Sequence, residues 1–408
     1  MQQIRYVKKS SLLFYSILIP ITLYILTEDV GISIKWFPEY RKNILIFVAI
    51  CLIPQIFLYL KKLISSKYFF HIFFAIFFFG GLIYSAIISP VGYYSIYATM
   101  NLILFFIEMF FLMIIIIEKN YLTKTIDIIY KIILLLIIVN DLFIFLGVKF
   151  SDGSFETYFI GTKFSVVYLH LYFLAFYLLV KGFKSKIKKK TIFNLICLSI
   201  SIVILSLKID CKTGVLGCLL FTTFVILFNN FSNKFLFFFT NPIVLLFCFF
   251  ESAIFAFKFE MIMKLKIIRY IIINILKRQL TLTGRTEIFS LFYNKMSGNW
   301  LWGYGFGSSY IISMEMFGYA DAQNAILQWI LQIGLPLTIG MVIIWIFYFT
   351  KLSRQKNIIE IIPLIALIYV FIILGTVEIT FNLSFMLWMS IVYMWSLKQK
   401  KERIEYAR

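Results

Sequence analysis

Residues 96–117 read IYATMNLILFFIEMFFLMIIII, twenty-two positions with one charged side chain, Glu108. A helix rises 1.5 Å per residue, so this stretch reaches about 33 Å, enough to cross the roughly 30 Å hydrocarbon layer of a bilayer. A helix is also the conformation that satisfies its own backbone where water is absent. The same kind of run recurs on both sides, near residues 11–26, 43–60, 68–89, 126–148, 162–180, 191–207, 213–228, 235–257, 325–349, 358–375 and 379–397. Twelve such runs predict an all-α fold, a polytopic membrane helix bundle of about twelve transmembrane helices forming a single integral membrane domain over 1–408. The first run precedes no small-residue cleavage site and is read as a retained helix rather than a signal peptide. Composition agrees: 62% of the residues are hydrophobic, 14% are charged and the mean hydropathy is +0.94, which excludes an ordinary soluble domain.

The basic residues orient the bundle. With the N-terminus inside, the inner connections carry 23 Lys and Arg, and the short outer connections carry 7. The positive-inside bias therefore predicts that both termini are cytoplasmic, in a multi-pass protein of the cytoplasmic (inner) membrane. The net charge of +20 then reflects topology and attraction to anionic membrane lipids, and no nucleic-acid partner is needed to explain it. Even KGFKSKIKKK, at 181–190, reads as an inner-loop anchor. The five cysteines form no CxxC pair, and the two histidines, His71 and His170, have no second histidine at ligand spacing. Neither a disulfide framework nor a metal site is expected, and no cofactor is implied. Glu108, Asn140, Asp141, His170 and Glu251 fall inside the apolar runs, where polar groups either line a cavity or pair with one another.

Nine predicted spans precede a long extracytoplasmic loop at 258–324, and three follow it. Long connections in compact proteins usually carry function. At its start, Met261, Leu265, Ile268, Ile272 and Ile275 recur at spacings of four and three, which fits a helix lying in the membrane interface or one covering the bundle. Thr283 and Gly284 then mark a helix start, with Ile288, Phe289, Phe292 and Met296 as its apolar stripe. Arg285 in that first turn opposes the helix dipole, so it is expected to face an anion or an acidic partner, such as Glu287 or Glu315. In WLWGYGFGSSY, Gly303, Gly305 and Gly307 permit positive φ and close backbone approach. No strand precedes them, which excludes a dinucleotide-binding turn. Asp321 is a plausible N-cap for the next span, and Gln323, Asn324 and Gln328 bring polar groups to its boundary.

Four pieces in this order, CKTG at 211–214, TGRTEIF at 283–289, GYGFG at 303–307 and AQNAILQWILQIG at 322–334, give the chain a resemblance. Over roughly residues 195–350 it resembles the O-antigen polymerase and O-antigen ligase superfamily, the Wzy-type polymerases and WaaL-like ligases of bacterial envelopes. The resemblance implies a membrane glycosyltransferase: metal-independent, inverting transfer of a glycan from undecaprenyl diphosphate to a sugar hydroxyl on the outer face. It implies a lipid-linked oligosaccharide substrate, and a flippase and a chain-length regulator as partners. Lys212 and Arg285 fall on the family's basic motif positions for the diphosphate, and Lys208 joins Lys212 in the same turn. The family's histidine base is replaced by Gln323, which cannot accept a proton. The base therefore moves to Asp321, with Glu287 and Glu378 as alternatives, while Gln323 orients substrate. Asn324, Gly305 and Glu287 are the remaining candidates for substrate contact. Snorkelling for Lys212 and simple capping for Asp321 remain open beside these roles.

A polymerase of capsule or exopolysaccharide biosynthesis is preferred to a ligase. Two other readings stay open: a lipid-sugar-dependent glycosyltransferase using the acidic pair Glu28 and Asp29, and a flippase. A flippase would be expected to show internal repeats, and none is visible.

Overall fold

A computed structural model describes residues 2–63, 68–150, 156–182, 186–230, 233–270, 273–274, 284–354 and 359–406, and these residues contain no strand. In chain order the helices are α1 (Gln2–Leu26), α2 (Val30–Ser33), α3 (Phe37–Leu63), α4 (Phe69–Ile87), α5 (Tyr93–Glu118), α6 (Leu122–Phe145), α7 (Lys163–Lys181), α8 (Lys189–Lys208) and α9 (Lys212–Asn230). They continue as α10 (Asn233–Phe239), α11 (Pro242–Met263), α12 (Lys266–Tyr270), α13 (Arg285–Lys295), α14 (Ser309–Phe317), α15 (Ala325–Ser353), α16 (Ile362–Leu374) and α17 (Leu383–Tyr406). Among the described residues, eight helices are long and apolar enough to cross a membrane: α3, α5, α6, α7, α8, α9, α11 and α15. Four shorter apolar helical segments accompany them: Leu12–Leu26, His71–Ile87, Ile359–Leu374 and Leu383–Leu397. The protein is thus a helical membrane bundle.

At the centre lies α16, buried on nearly every face against α7, α9 and α11. Only a helix that is apolar all round tolerates that position.

Two of the predicted continuous spans are broken. The run 235–257 is interrupted at Thr240 and Asn241, because Asn241 caps α11 by accepting from the Ile243 amide at 2.9 Å and Pro242 occupies the first turn. Helix α11 then continues to Met263, so the long connection begins later than 258. Met261 and Leu265 are exposed alongside Lys264 and Lys266, while Ile272 and Ile275 lie outside the described residues.

The second break, at Gly334 (φ +80°, ψ 169°), divides α15. The glycine-rich turn fills this break. The Tyr304 amide donates to the Leu331 carbonyl at 2.8 Å, the Leu335 amide donates to the Trp300 carbonyl at 2.8 Å, and the Gly307 amide donates to Gln332 Oε1 at 3.2 Å. A Cβ on Gly303 would stand 2.7 Å from the Gly334 amide nitrogen, and one on Gly334 would stand 2.2 Å from the Leu301 carbonyl oxygen. The two glycines let two backbones meet so that each supplies the partners the other lacks. Ser85 and Ser89 of the α4 end donate to the Trp302 and Tyr304 carbonyls and complete the joint.

Hydrogen bonds across the bundle gather the segments 27–36, 156–162, 209–211, 284–324 and 375–382 at one end. Lys163 Nζ donates to the Asp210 carbonyl at 3.1 Å, the Leu383 amide to Glu28 Oε2 at 3.2 Å, and Arg285 Nη2 to Glu378 Oε1 at 2.7 Å. The connections at the other end, which hold Lys186 and Lys188–Lys190, are tied by the Ile187 amide donating to Asn229 Oδ1 at 2.7 Å.

Candidate functional site

Arg285 opens α13, where Gly284 (φ +86°) turns the chain beneath Tyr319; a Cβ there would stand 2.1 Å from that ring. The turn sends the guanidinium away from its own helix and into the segment between α16 and α17. Its Nε and Nη2 donate to the Val377 carbonyl at 2.9 and 2.7 Å, and Nη2 also meets Glu378 Oε1 at 2.7 Å. The expected acidic partner of Arg285 therefore exists, and it is Glu378 rather than Glu287 or Glu315. The two side chains are 11% and 7% exposed, so the pair is largely withdrawn from water.

From α9, the Thr213 hydroxyl donates to the same Glu378 Oε1 at 3.3 Å. The CKTG and TGR segments thus meet on one carboxylate. Burial pushes the Glu378 carboxyl up to about 7, and Asp321 nearby pushes the same way; Arg285, Thr213 and Lys163 oppose them without prevailing. Glu378 consequently gains and loses a proton near neutrality beside a fixed cation, which is what a general base for a hydroxyl requires.

Asp321 does not cap α15. Its Oδ1 accepts from both the Gln323 amide and Gln323 Nε2 at 2.8 Å, holding Gln323 at a positive φ of 51°. Burial raises its carboxyl above the usual range, against those hydrogen bonds and the Arg285 charge. The cap is Asn324, whose Oδ1 accepts from the Ile326 and Leu327 amides at 3.0 Å. Its Nδ2 donates to the Ser252 and Thr376 carbonyls at 2.9 and 3.1 Å. Asn324 is completely buried with these partners, so it joins α11, α15 and the 375–382 segment.

The other sequence candidates are placed as follows. Gly305 is buried, where a Cβ would meet Ser95 Oγ at 2.2 Å, so it serves close packing onto α5. Glu287 is exposed and accepts from the Tyr319 hydroxyl at 3.4 Å. Lys212 opens α9 half-buried beside Thr213, whereas Lys208 is exposed with its Nζ 4.3 Å from the Phe145 ring centroid. Asn140, Asp141 and His170 pair with one another: Asn140 Nδ2 donates to Asp141 Oδ1 at 3.3 Å, and His170 Nε2 lies 3.1 Å from Asp141 Oδ2. Among the described residues no group of three or more His, Cys, Asp or Glu could hold a metal ion.

Sequence reading missed Lys163, Thr213 and Tyr168 as members of this cluster. Thr213 lay inside a quoted motif, but nothing in spacing links residue 213 to residue 378. Tyr168 of α7 is buried with no hydrogen-bond partner for its hydroxyl among the described residues, within electrostatic reach of Glu378, Arg285 and Asp321.

These features define a multi-pass helical membrane protein with a buried, charged cluster at one end of its bundle. No protein-family model, curated protein or solved structure matches the chain.

Proposed function

We propose that the chain is a polysaccharide polymerase that crosses the cytoplasmic membrane about twelve times, with both termini inside and the Arg285 cluster at the outer face. It transfers a growing glycan from undecaprenyl diphosphate to a lipid-linked repeat unit. The observation that carries this reading is the meeting of Arg285 and Thr213, from two motifs of the family resemblance, on Glu378. The reaction needs two things, a proton acceptor for the attacking hydroxyl and positive charge for the departing diphosphate.

In the proposed step the acceptor hydroxyl attacks the anomeric carbon of the donor sugar, its proton passes to Glu378, and the bond from that carbon to the diphosphate breaks with inversion. The electron pair leaves on the diphosphate, where the guanidinium of Arg285 and the ammonium of Lys212 balance its charge. Glu378 takes the role of base, and Asp321 positions Gln323. Val377 and Glu378 hold the guanidinium before substrate arrives, so no reorganisation is needed as charge develops.

The test is Arg285→Ala, read as the size distribution of lipid-linked glycan in cells. Single repeat units on the carrier at the outer face are expected, with long polymer lost. Normal chain lengths at wild-type protein abundance would refute the role. Units trapped at the inner face would favour a flippase instead.

A further inference from the structure

Of the polar residues inside the apolar runs, Asn140, Asp141 and His170 pair with one another and Glu108 is buried, but Glu251 does neither. It lies on α11, whose membrane-crossing part runs from Pro242 to Phe259, nine residues from one end and eight from the other. At 1.5 Å per residue both ends are about 12 to 14 Å away, which puts the residue near the middle of the hydrocarbon. A glutamate side chain is too short to snorkel to either surface as lysine does.

The face it occupies matters as much as the depth. Leu245, Phe249, Ser252, Ala256 and Phe259 are buried on the side of α11 that packs against α15 and α16. Glu251 stands on the other side, exposed, with exposed Ile243, Phe247, Phe250 and Phe257 around it. It has no hydrogen-bond or ion-pair partner among the described residues. Ionisable side chains inside a membrane face the bundle interior or a wet cavity, or pair with one another, because lipid tails offer neither donor nor acceptor. An outward carboxyl at mid-depth therefore calls for a polar partner from outside the chain.

Symmetry and chemistry together select that partner. A twofold axis along the membrane normal, the commonest symmetry of oligomers, sets two copies of α11 parallel and side by side, so residues at equal depth meet. The group opposite Glu251 is then the partner's Glu251. In its acid form a carboxyl has one donor and one acceptor, so two of them join through reciprocal hydrogen bonds and leave no polar atom towards lipid. A cation on another protein would have to carry its own costly charge to the same depth, whereas the self-pair needs no charge at all. Lys258, seven residues further along the same face, lies at the edge of the span, where water and lipid phosphates screen it from its copy.

We infer that the outward face of α11 is a contact between two copies of this chain in the membrane, closed by Glu251 pairing with the partner's Glu251. The inference goes beyond the glycan transfer and is independent of it, since the Arg285 cluster does not use this face.

The test is photobleaching-step counting on the full chain, carrying a monomeric fluorescent protein, in phosphatidylethanolamine and phosphatidylglycerol vesicles over a range of protein-to-lipid ratios. Wild type should pass from one-step to two-step particles as its density in the membrane rises. Glu251→Gln, whose amide still donates and accepts, should keep the dissociation constant within about threefold. Glu251→Leu should raise it at least about fivefold, the order expected for a polar contact between membrane helices. Leucine suits a lipid-facing position, so this variant should reach wild-type abundance and its loss of dimer is not misfolding. In native membranes, benzoylphenylalanine in place of Phe247 should photo-crosslink the chain to a second copy of itself. One-step particles at every density, a smaller rise for Glu251→Leu, a loss in Glu251→Gln as large as in Glu251→Leu, or crosslinks only to lipid or to a different protein would overturn the inference.

Discussion

If Glu378 accepts the proton of the attacking hydroxyl, the rate of transfer must follow its ionisation. With its carboxyl pushed up to about 7, roughly half is ionised at pH 7 and about a tenth at pH 6. The initial rate of polymer formation in proteoliposomes should therefore fall about fivefold from pH 7 to 6 and about tenfold per pH unit below that. Stability should run the other way. A carboxyl raised above its ordinary value of 4.5 favours the folded state when protonated, so its contribution is complete below about 4.5 and is lost as pH rises through about 7. At 1.36 kcal/mol per pH unit this amounts to about 3 kcal/mol at most. The Glu378→Gln variant mimics the protonated form. It should stay folded, lose the acid limb together with nearly all turnover, and show a thermal midpoint in detergent that falls less between pH 5 and 8. Glu378→Asp should keep the limb at a rate reduced about a hundredfold, because the carboxylate retreats by about 1 Å. Removing Arg285, which holds the carboxyl down, should move any residual limb to higher pH. A folded Glu378→Gln protein with the wild-type rate and an unchanged limb would refute the assignment.

Arg285→Lys keeps the charge but loses the planar fork that meets Val377 and Glu378; single-turnover rates should fall about a hundredfold to a thousandfold, corresponding to about 2.7 to 4 kcal/mol. Asn324→Ala removes the cap of α15 and the partner of two buried carbonyls, and a thermal melt should show a loss of about 1 to 3 kcal/mol. Gly303→Ala puts a Cβ 2.7 Å from backbone at a positive φ, so the joint with α15 should open and membrane abundance should drop sharply on an immunoblot. For topology, an impermeant maleimide on intact cells should label a cysteine at exposed Ser290 but not one at Lys186. The reverse pattern would place the Arg285 cluster inside.

Each of the twelve apolar runs falls on helix because hydrocarbon-scale hydrophobicity is a local property, read within one window. The start of α13 and the three positive-φ glycines were equally legible, since Gly284 and the GYGFG spacing carry their conformation in their own residue types. The breaks were harder to see. Gly334 and Pro336 stand in the sequence, but an isolated glycine in an apolar run is commonplace. What makes this one a break is the turn at 300–307, some thirty residues earlier, whose backbone takes up the hydrogen bonds that α15 releases.

The site follows the same division between local and distant information. An arginine in the first turn of α13 opposes the helix dipole, and that local conflict was enough to call for an anion or an acidic partner. Which acid it was depended on long-range packing: Glu378 lies ninety-three residues on in the chain, whereas Glu287 is two residues away and faces Tyr319. Local reading likewise left Asp321 as cap or base and Asn324 for substrate, yet Asn324 takes the cap because its amide group can accept from α15 and donate to Ser252 and Thr376 at once. A carboxylate has no N–H to offer those carbonyls. The surroundings of the acidic pair were least accessible to sequence, because the fold joins Glu28 and Asp29 to α7 and α17 across most of the chain. Two adjacent acids after an apolar run carry little information alone. They gain it from Ser165, which donates to Asp29, and from the Leu383 amide, which donates to Glu28 at the start of α17.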